Sequence, residues 1–192
     1  ISDYGVTKLE GEEVAKTLLG AVPTTIVRPS AVYGPRDENF LKIFNGVKRG
    51  FLPRFGKAER YTNLVQVQDL AKGIIISGQR SETLGELYFL SNRPIYSYDE
   101  FVSEIVRCVG TKCRRPVVPN AALDLAALFA KVQKTVTGKT GLLDSQRIET
   151  IKARFWTAST AKMERDFGWV PPTALPEGIQ ATTQWYREQG WL

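Results

Sequence analysis

The order of residue types along the chain predicts an α/β fold: a buried, mostly parallel sheet joined to a smaller, mostly helical lobe. Three observations carry this. Helical stretches alternate with short β-branched runs through the first half of the chain. The run Thr24-Thr25-Ile26-Val27 is apolar or β-branched at every position, as in a strand covered on both faces. The second half reads as a succession of helices. With 192 residues, 43% hydrophobic and 24% charged, the chain is long enough for one domain carrying a lobe. It contains no internal repeat, no low-complexity segment and no clean linker, so the two parts are expected to interleave.

Each element has a local reason. Residues 5–19 read as a helix, with Leu9, Val14, Leu18 and Leu19 among its apolar positions and Glu10, Glu12 and Glu13 facing out; Gly20 closes it and Pro23 bars continuation. Pro29 ends the strand that follows. A helix is expected over 38–49, stopped by Gly50, then a loop with Pro53 and Gly56 and a strand over 63–67 with polar outward positions. Asp69 is placed to cap a helix from Leu70 to Gly78. A strand over 86–90 follows, and Ser97 with Glu100 forms a capping box for a helix ending at Val109. Further helices are expected near 120–136, 144–152, 158–167 and 176–188. The most apolar stretch, residues 121–136, is interrupted by Asp124 and Lys131 and falls short of the roughly 20 apolar residues of a membrane span. It reads as a core or interfacial amphipathic helix.

Composition excludes several chemistries. There is no histidine, which removes Ser-His-Asp and Cys-His catalysis within this chain. Cys108 and Cys113 are the only cysteines; they make at most half a zinc site and fit a reducing, cytoplasmic setting. The net charge of +6 favours anionic partners such as nucleotide phosphates and is too scattered for nucleic-acid binding; Lys112, Arg114 and Arg115 read as a solvated loop. Gly138-Lys139-Thr140 resembles the end of a phosphate-binding loop, but Gln133 stands where its first glycine belongs. Trp156, Trp169, Trp185 and Trp191, with Phe155, Phe167 and Tyr186, read as core and lobe-sealing aromatics.

The sharpest feature is Tyr4-Gly5-Val6-Thr7-Lys8. Residues four apart on a helix share a face, with about 6 Å of rise between them. An ammonium can therefore sit beside a phenol, where a nearby cation favours the phenolate and makes proton exchange feasible near neutral pH. By itself the pair is a tyrosine packed under a lysine stem. It is followed, after the buried strand, by Arg28-Pro29-Ser30-Ala31-Val32-Tyr33-Gly34-Pro35-Arg36-Asp37. Turns that leave such strands are where open α/β sheets bind ligands.

These motifs, with Val65-Gln66-Val67-Gln68-Asp69-Leu70-Ala71 and the tail Ser159 to Pro171 ending in Gln184-Trp185-Tyr186, resemble the extended short-chain dehydrogenase/reductases in order and spacing over essentially the whole chain. The resemblance implies the C-terminal part of a Rossmann-like doubly wound parallel sheet. Residues 1–36 would end the dinucleotide-binding domain, and 37–192 would be mainly the substrate lobe, with 62–91 packing back on the sheet. It implies NAD or NADP as cofactor and a small-molecule substrate. Tyr4 resembles the catalytic acid/base, and Lys8 the residue that tunes it and holds the nicotinamide ribose. Pro29, Ser30, Ala31 and Val32 resemble the turn lining the nicotinamide, and residues 37–62 the substrate-facing region. A homodimer through a helix bundle is usual in the family.

The departures are informative. The chain opens inside a motif, without the family's glycine-rich phosphate loop, so it reads as a C-terminal fragment that alone is expected to be inactive. Thr7 and Gln66 replace the family's frequent Ser and His. Sugar-nucleotide epimerases and dehydratases commonly carry Arg-Asp where this chain has Thr62-Asn63, with Arg60 two positions out of register. This favours the branch resembling dihydroflavonol reductases and 3β-hydroxysteroid dehydrogenases, which act on apolar alcohols or ketones. An oxidoreductase acting on a hydroxyl/carbonyl group is therefore expected. The alternatives are a sugar-nucleotide epimerase or dehydratase, and a non-catalytic binding protein of the same fold.

Overall fold

The computed structural model describes residues 3–125 and 153–192. In chain order the elements are α1 (Asp3–Thr17), β1 (Ile26–Pro29), β2 (Ala31–Tyr33), α2 (Glu38–Lys48), β3 (Arg54–Phe55), β4 (Tyr61–Gln66), α3 (Val67–Gly78), β5 (Leu87–Leu90), β6 (Ile95–Ser97), α4 (Tyr98–Val109), β7 (Val117–Val118), β8 (Phe155–Trp156), α5 (Ala161–Phe167) and α6 (Leu175–Glu188). Residues 120–125 are also helical. The helix expected over 144–152, and the rest of the one expected over 120–136, lie outside the described residues. No helix among the described residues is long and apolar enough to cross a membrane.

β1 and β2 are one extended run interrupted at Ser30, and the run changes partners there. β1 lies parallel to β5, with Ile26 opposite Leu87 and Pro29 opposite Leu90. β2 lies parallel to β4, with Ala31 opposite Leu64 and Tyr33 opposite Gln66. β4 also takes β6 antiparallel and β8 parallel, the latter along Tyr61 and Thr62. Residues 31–33, expected as part of a turn, are thus a strand. This strand and β3, β6, β7 and β8 are only two or three residues long. At that length no hydrophobic period exists to read, and the partner alone decides the conformation.

β4 is covered on both faces, and this corrects the expected outward polar positions: Asn63, Leu64, Val65 and Gln66 are all buried. Leu64 joins Tyr33 in a core formed with α2, α4 and α6 through Phe44, Val47, Phe101, Val102, Ile105, Ile179 and Tyr186. Val65 belongs to a second core with Leu70, Tyr88, Leu90, Met163 and Phe167. Asn63 is tolerated inside because its amide is fully used. Nδ2 donates to the carbonyls of Asn92 (3.1 Å) and Pro94 (3.4 Å), and Oδ1 accepts from the Ala158 N–H at 2.9 Å.

Other local expectations are met or revised. The Ser97–Glu100 capping box is present, and Gly110 ends α4 in the left-handed conformation. Asp69 is not a cap. α3 starts earlier, at Val67, and the Gln66 side chain accepts from the Gln68 and Asp69 amides. Asp69 is buried in the first turn and accepts from the Thr173 N–H at 3.0 Å, tying α3 to the segment that leads into α6. The helix expected from 158 begins at Ala161.

α1 buries none of its residues; Leu9 and Val14, and Leu18 just after its end, are exposed. Glu12, expected to face out, is its most enclosed acidic group, with its side chain 9% exposed. It receives Arg28 of β1 through two hydrogen bonds, Nε at 2.8 Å and Nη2 at 2.9 Å, and pairs with Lys16 at 3.0 Å. The fork-to-fork geometry is the strong form of such a pair. The hydrogen bond from Lys16, and then Arg28, hold the Glu12 carboxyl below its ordinary value against the effect of burial.

A carboxyl depressed in this way stabilises α1 docking fully above the ordinary carboxylate range, and the contribution is lost as pH falls through the lowered folded value. Protection of the α1 amides, taken as the intrinsic exchange rate relative to the observed rate at each pH, should therefore fall on acidification, and Glu12→Gln should remove this dependence while protection in α4 stays as it was. Asn63→Ala removes three hydrogen bonds to backbone groups, leaves the buried Asn92 carbonyl without this donor, and should destabilise the fold by about 1–3 kcal/mol in denaturant unfolding.

Candidate active site

A cleft of about 600 Å³ opens where the β1–β2 run changes partners. In α/β sheets such a divergence of neighbouring strands leaves a crevice that side chains do not fill. One wall is Pro29, Ser30, Ala31 and Phe89; the others are Arg60, Tyr61 and Thr62 at the start of β4, Tyr98 at the start of α4, and residues 153–158 around β8. Ser30 joins the buried Ser91 in a hydroxyl–hydroxyl hydrogen bond of 2.7 Å, and its N–H donates to the Leu90 carbonyl. The point of divergence is therefore fixed on both its backbone and its side chain.

The wall opposite comes from far along the chain. The Thr62 hydroxyl donates to the Trp156 carbonyl at 3.2 Å, and the Ala158 N–H donates to Asn63. Phe155 stacks on Tyr61 with centroids 5.6 Å apart and planes 9° apart. Phe155 and Trp156, expected to seal a core, are instead 62% and 57% exposed and line the cleft. The other aromatics expected inside do pack there: Phe167 against Tyr88, and Trp185, Tyr186 and Trp191 against one another.

The residues expected at the site fall into two groups. Pro29, Ser30 and Ala31 line the cleft, whereas Val32 points to the second core. Tyr4 and Lys8 share a face of α1, with Lys8 Nζ 5.6 Å from the centre of the Tyr4 ring. The Thr7 hydroxyl is turned back onto the Tyr4 carbonyl at 3.0 Å. This pair does not line the cleft, and Tyr4 is 71% exposed. What connects the two groups is the Glu12–Arg28 pair, which fixes α1 to the strand ending at Pro29. Tyr4 lies about 12 Å along the helix axis from that anchor.

Arg60, Tyr61 and Thr62 fall in the region 37–62 expected to face the substrate, whereas Tyr98, Phe155 and Trp156 are lining residues that sequence reasoning left out. Arg60 lies over the Tyr98 ring at 4.5 Å from its centre. Burial lowers the Arg60 pKa from its ordinary value; the charges of Arg54 and Arg115 push the same way, against those of Tyr98 and Asp99. Among the described residues no group of His, Cys, Asp and Glu is placed to hold a metal ion.

The flat, largely apolar wall at Pro29, Ser30, Ala31 and Phe89 suits the nicotinamide end of a dinucleotide. No glycine-rich phosphate loop is present in the sequence to take the other end.

Known proteins share this fold. Over all of its length the chain is 28% identical to a ceramide reductase of Caulobacter vibrioides, of which it covers 59%. Over 95% of its length it is 26% identical to a UDP-glucose 4-epimerase of Vibrio cholerae, of which it covers 53%. The chain thus spans a little over half the length of these relatives. Among solved structures, it superposes on a UDP-glucuronic acid 4-epimerase of Bacillus cereus in complex with UDP-glucuronic acid and NAD, with a TM-score of 0.73 and 18% identity over 98% of this chain and 53% of the other. A dTDP-glucose 4,6-dehydratase of Bacillus anthracis, in complex with NAD, gives 0.71 and 19% over the same shares. The fold is that of the Rossmann-type epimerases and dehydratases. Residues 9–120 match the model of the 3-beta hydroxysteroid dehydrogenase/isomerase family. The chain belongs to this family, one of the extended short-chain dehydrogenase/reductases.

Proposed function

We propose that the protein containing this chain is an NAD(P)-dependent dehydrogenase or reductase that interconverts a hydroxyl and a carbonyl on a small, largely apolar substrate. The observation that carries the reading is the Lys8 ammonium held 5.6 Å from the centre of the Tyr4 ring, on a helix anchored to the strand that ends in the cleft wall. In this reading residues 1–36 complete the dinucleotide-binding domain, and 37–192 form mainly the substrate lobe, with 62–91 packed back on the sheet. The exposed Leu9 and Val14 of α1, with Leu18 just beyond it, belong to a homodimer interface.

When bound, the nicotinamide supplies or accepts a hydride. Tyr4 moves the proton: its phenol O–H donates to the substrate oxygen in reduction, and the phenolate takes the hydroxyl proton in oxidation. Lys8 stabilises the phenolate and hydrogen-bonds the ribose of the cofactor. Pro29, Ser30 and Ala31, where the β1–β2 run changes partners, form the wall against which the nicotinamide packs, chiefly through backbone atoms. The aromatic walls formed by Phe89, Tyr98, Phe155 and Trp156 exclude water from an apolar substrate.

In the protein extended by the upstream half found in its relatives, Tyr4→Phe should lower kcat by about 10²–10⁴-fold while cofactor affinity, measured by titration, stays within twofold or so. Unchanged turnover would remove Tyr4 from the mechanism. A second reading, a sugar-nucleotide epimerase or dehydratase, is supported by the similarity to the Vibrio cholerae epimerase. The two differ in net redox change. The first predicts that nicotinamide absorbance changes in step with product formed; conversion of a nucleotide sugar at constant absorbance establishes the second.

A further inference from the structure

A two-stranded parallel ribbon stands beside the cleft, and its two faces differ. Phe51 bridges Arg114, Arg54 pairs with Val117 and Phe55 with Val118, so one register runs along 51–55 and 114–118. The amides of Leu52, Arg54 and Gly56 donate to the carbonyls of Arg114, Pro116 and Val118. Side chains paired across such a ribbon share a face, and successive ones alternate between faces. Leu52, Arg54 and Arg115 point inward: Leu52 packs on the first core, and the two guanidinium groups share the Asp99 carboxylate at 2.8 and 2.6 Å. Asp99 follows Tyr98, a lining residue of the cleft. The opposite face therefore presents Phe51, Pro53, Phe55, Arg114, Pro116 and Val118, which are five apolar side chains and one cation.

This outer face is open to solvent. Phe51 is 56% exposed, Arg114 and Pro116 are exposed, and Pro53, Phe55 and Val118 are half-buried. The charge around it has one sign. Residues 48–57 and 112–118 contain seven cations and no carboxylate. Arg54 and Arg115 are satisfied by Asp99. The other five, Lys48, Arg49, Lys57, Lys112 and Arg114, are exposed, and among the described residues none of them forms an ion pair. Lys48 and Arg49 at the end of α2 complement its dipole, which accounts for two of the five. Lys57, Lys112 and Arg114 lie on no helix.

An apolar face framed by unpaired cations matches a bilayer with anionic headgroups. Such a surface takes apolar side chains into its interfacial layer and attracts Lys and Arg. Nucleic acid is matched by the cations alone, since phosphate contacts leave the apolar face unused. A further strand, such as one from a second copy, is disfavoured because Pro53 has no N–H to offer on the ribbon's outer edge.

We propose that this ribbon docks the protein on an anionic phospholipid surface, with Phe51 and Pro116 inserted among the headgroups and Arg114 and its neighbouring cations at the lipid phosphates. The ion pairs to Asp99 then hold the cleft beside the bilayer, where apolar molecules are concentrated. The docking is independent of the catalytic assignment, because it is read without turnover.

Co-sedimentation of the full-length protein with vesicles tests it. Phosphatidylcholine vesicles containing about 30% phosphatidylglycerol should bind the protein about tenfold or more tightly than phosphatidylcholine alone, and the difference should shrink as salt rises. Phe51→Ser should weaken binding by about tenfold, and Lys112→Gln or Arg114→Gln each by about fivefold. All three side chains are exposed, so these variants keep the fold, which circular dichroism checks. Equal binding to both kinds of vesicle overturns the proposal, as does no binding to either. Wild-type affinity in Phe51→Ser, or in the double variant Lys112→Gln and Arg114→Gln, places the lipid contact on another surface and overturns it as well. Capture of a short DNA duplex in place of vesicles assigns the cations to nucleic acid, with the same result.

Discussion

The cleft exists because one buried side-chain amide satisfies backbone groups from two distant stretches of chain. Asn63 sits on β4, donates to the carbonyls of Asn92 and Pro94 in the β5–β6 connection, and accepts from the N–H of Ala158 just after β8. A buried amide left unpaired costs more than it contributes when paired, so the cost of misplacing either stretch is concentrated in this residue. The aromatic wall formed by Phe155 and Trp156 is thereby held against a sheet more than ninety positions away in sequence. Ser30 and Ser91 fix the opposite wall in the same way, with a hydroxyl pair at the point where the strand changes partners.

Two clusters of charge flank this frame. On α1, Glu12 meets Arg28 and Lys16, and Lys16 also reaches Glu13, so two cations face two carboxylates. That cluster docks a helix whose apolar side chains are otherwise exposed. Around Tyr98, Arg54 and Arg115 share the Asp99 carboxylate, and Arg60 lies over the ring at the edge of the cleft.

The chain's relatives include a ceramide reductase and a UDP-glucose 4-epimerase on one fold. In the proposed reading, the Tyr4–Lys8 pair and the wall at Pro29–Ala31 lie on α1 and the β1–β2 run, while the remaining cleft walls come from β4, α4 and β8. Chemistry and substrate choice would then lie on separate segments. At the Thr62-Asn63 positions this chain uses both residues to bind its own backbone, to Trp156 and to Asn92, Pro94 and Ala158. The arginine that reaches the cleft stands at position 60 instead.

Much of the fold was legible from local chemistry. The Ser97–Glu100 box, the stop at Gly110 and the β-branched run before Pro29 depend on residues within a turn of one another, so the sequence specifies them directly. The pairing of Tyr4 with Lys8 on one helix face was legible for the same reason. What the tertiary structure decided is everything that depends on a distant partner. The two- and three-residue strands exist only because a neighbour supplies their hydrogen bonds. Asp69 became a tie to Thr173 because Gln66 had taken the cap. Phe155 and Trp156 became cleft walls because β8 pairs with the open start of β4 and lies at the rim. Residue type fixes what a side chain is able to do, but which water it loses and which charge it meets are set by segments far away in sequence.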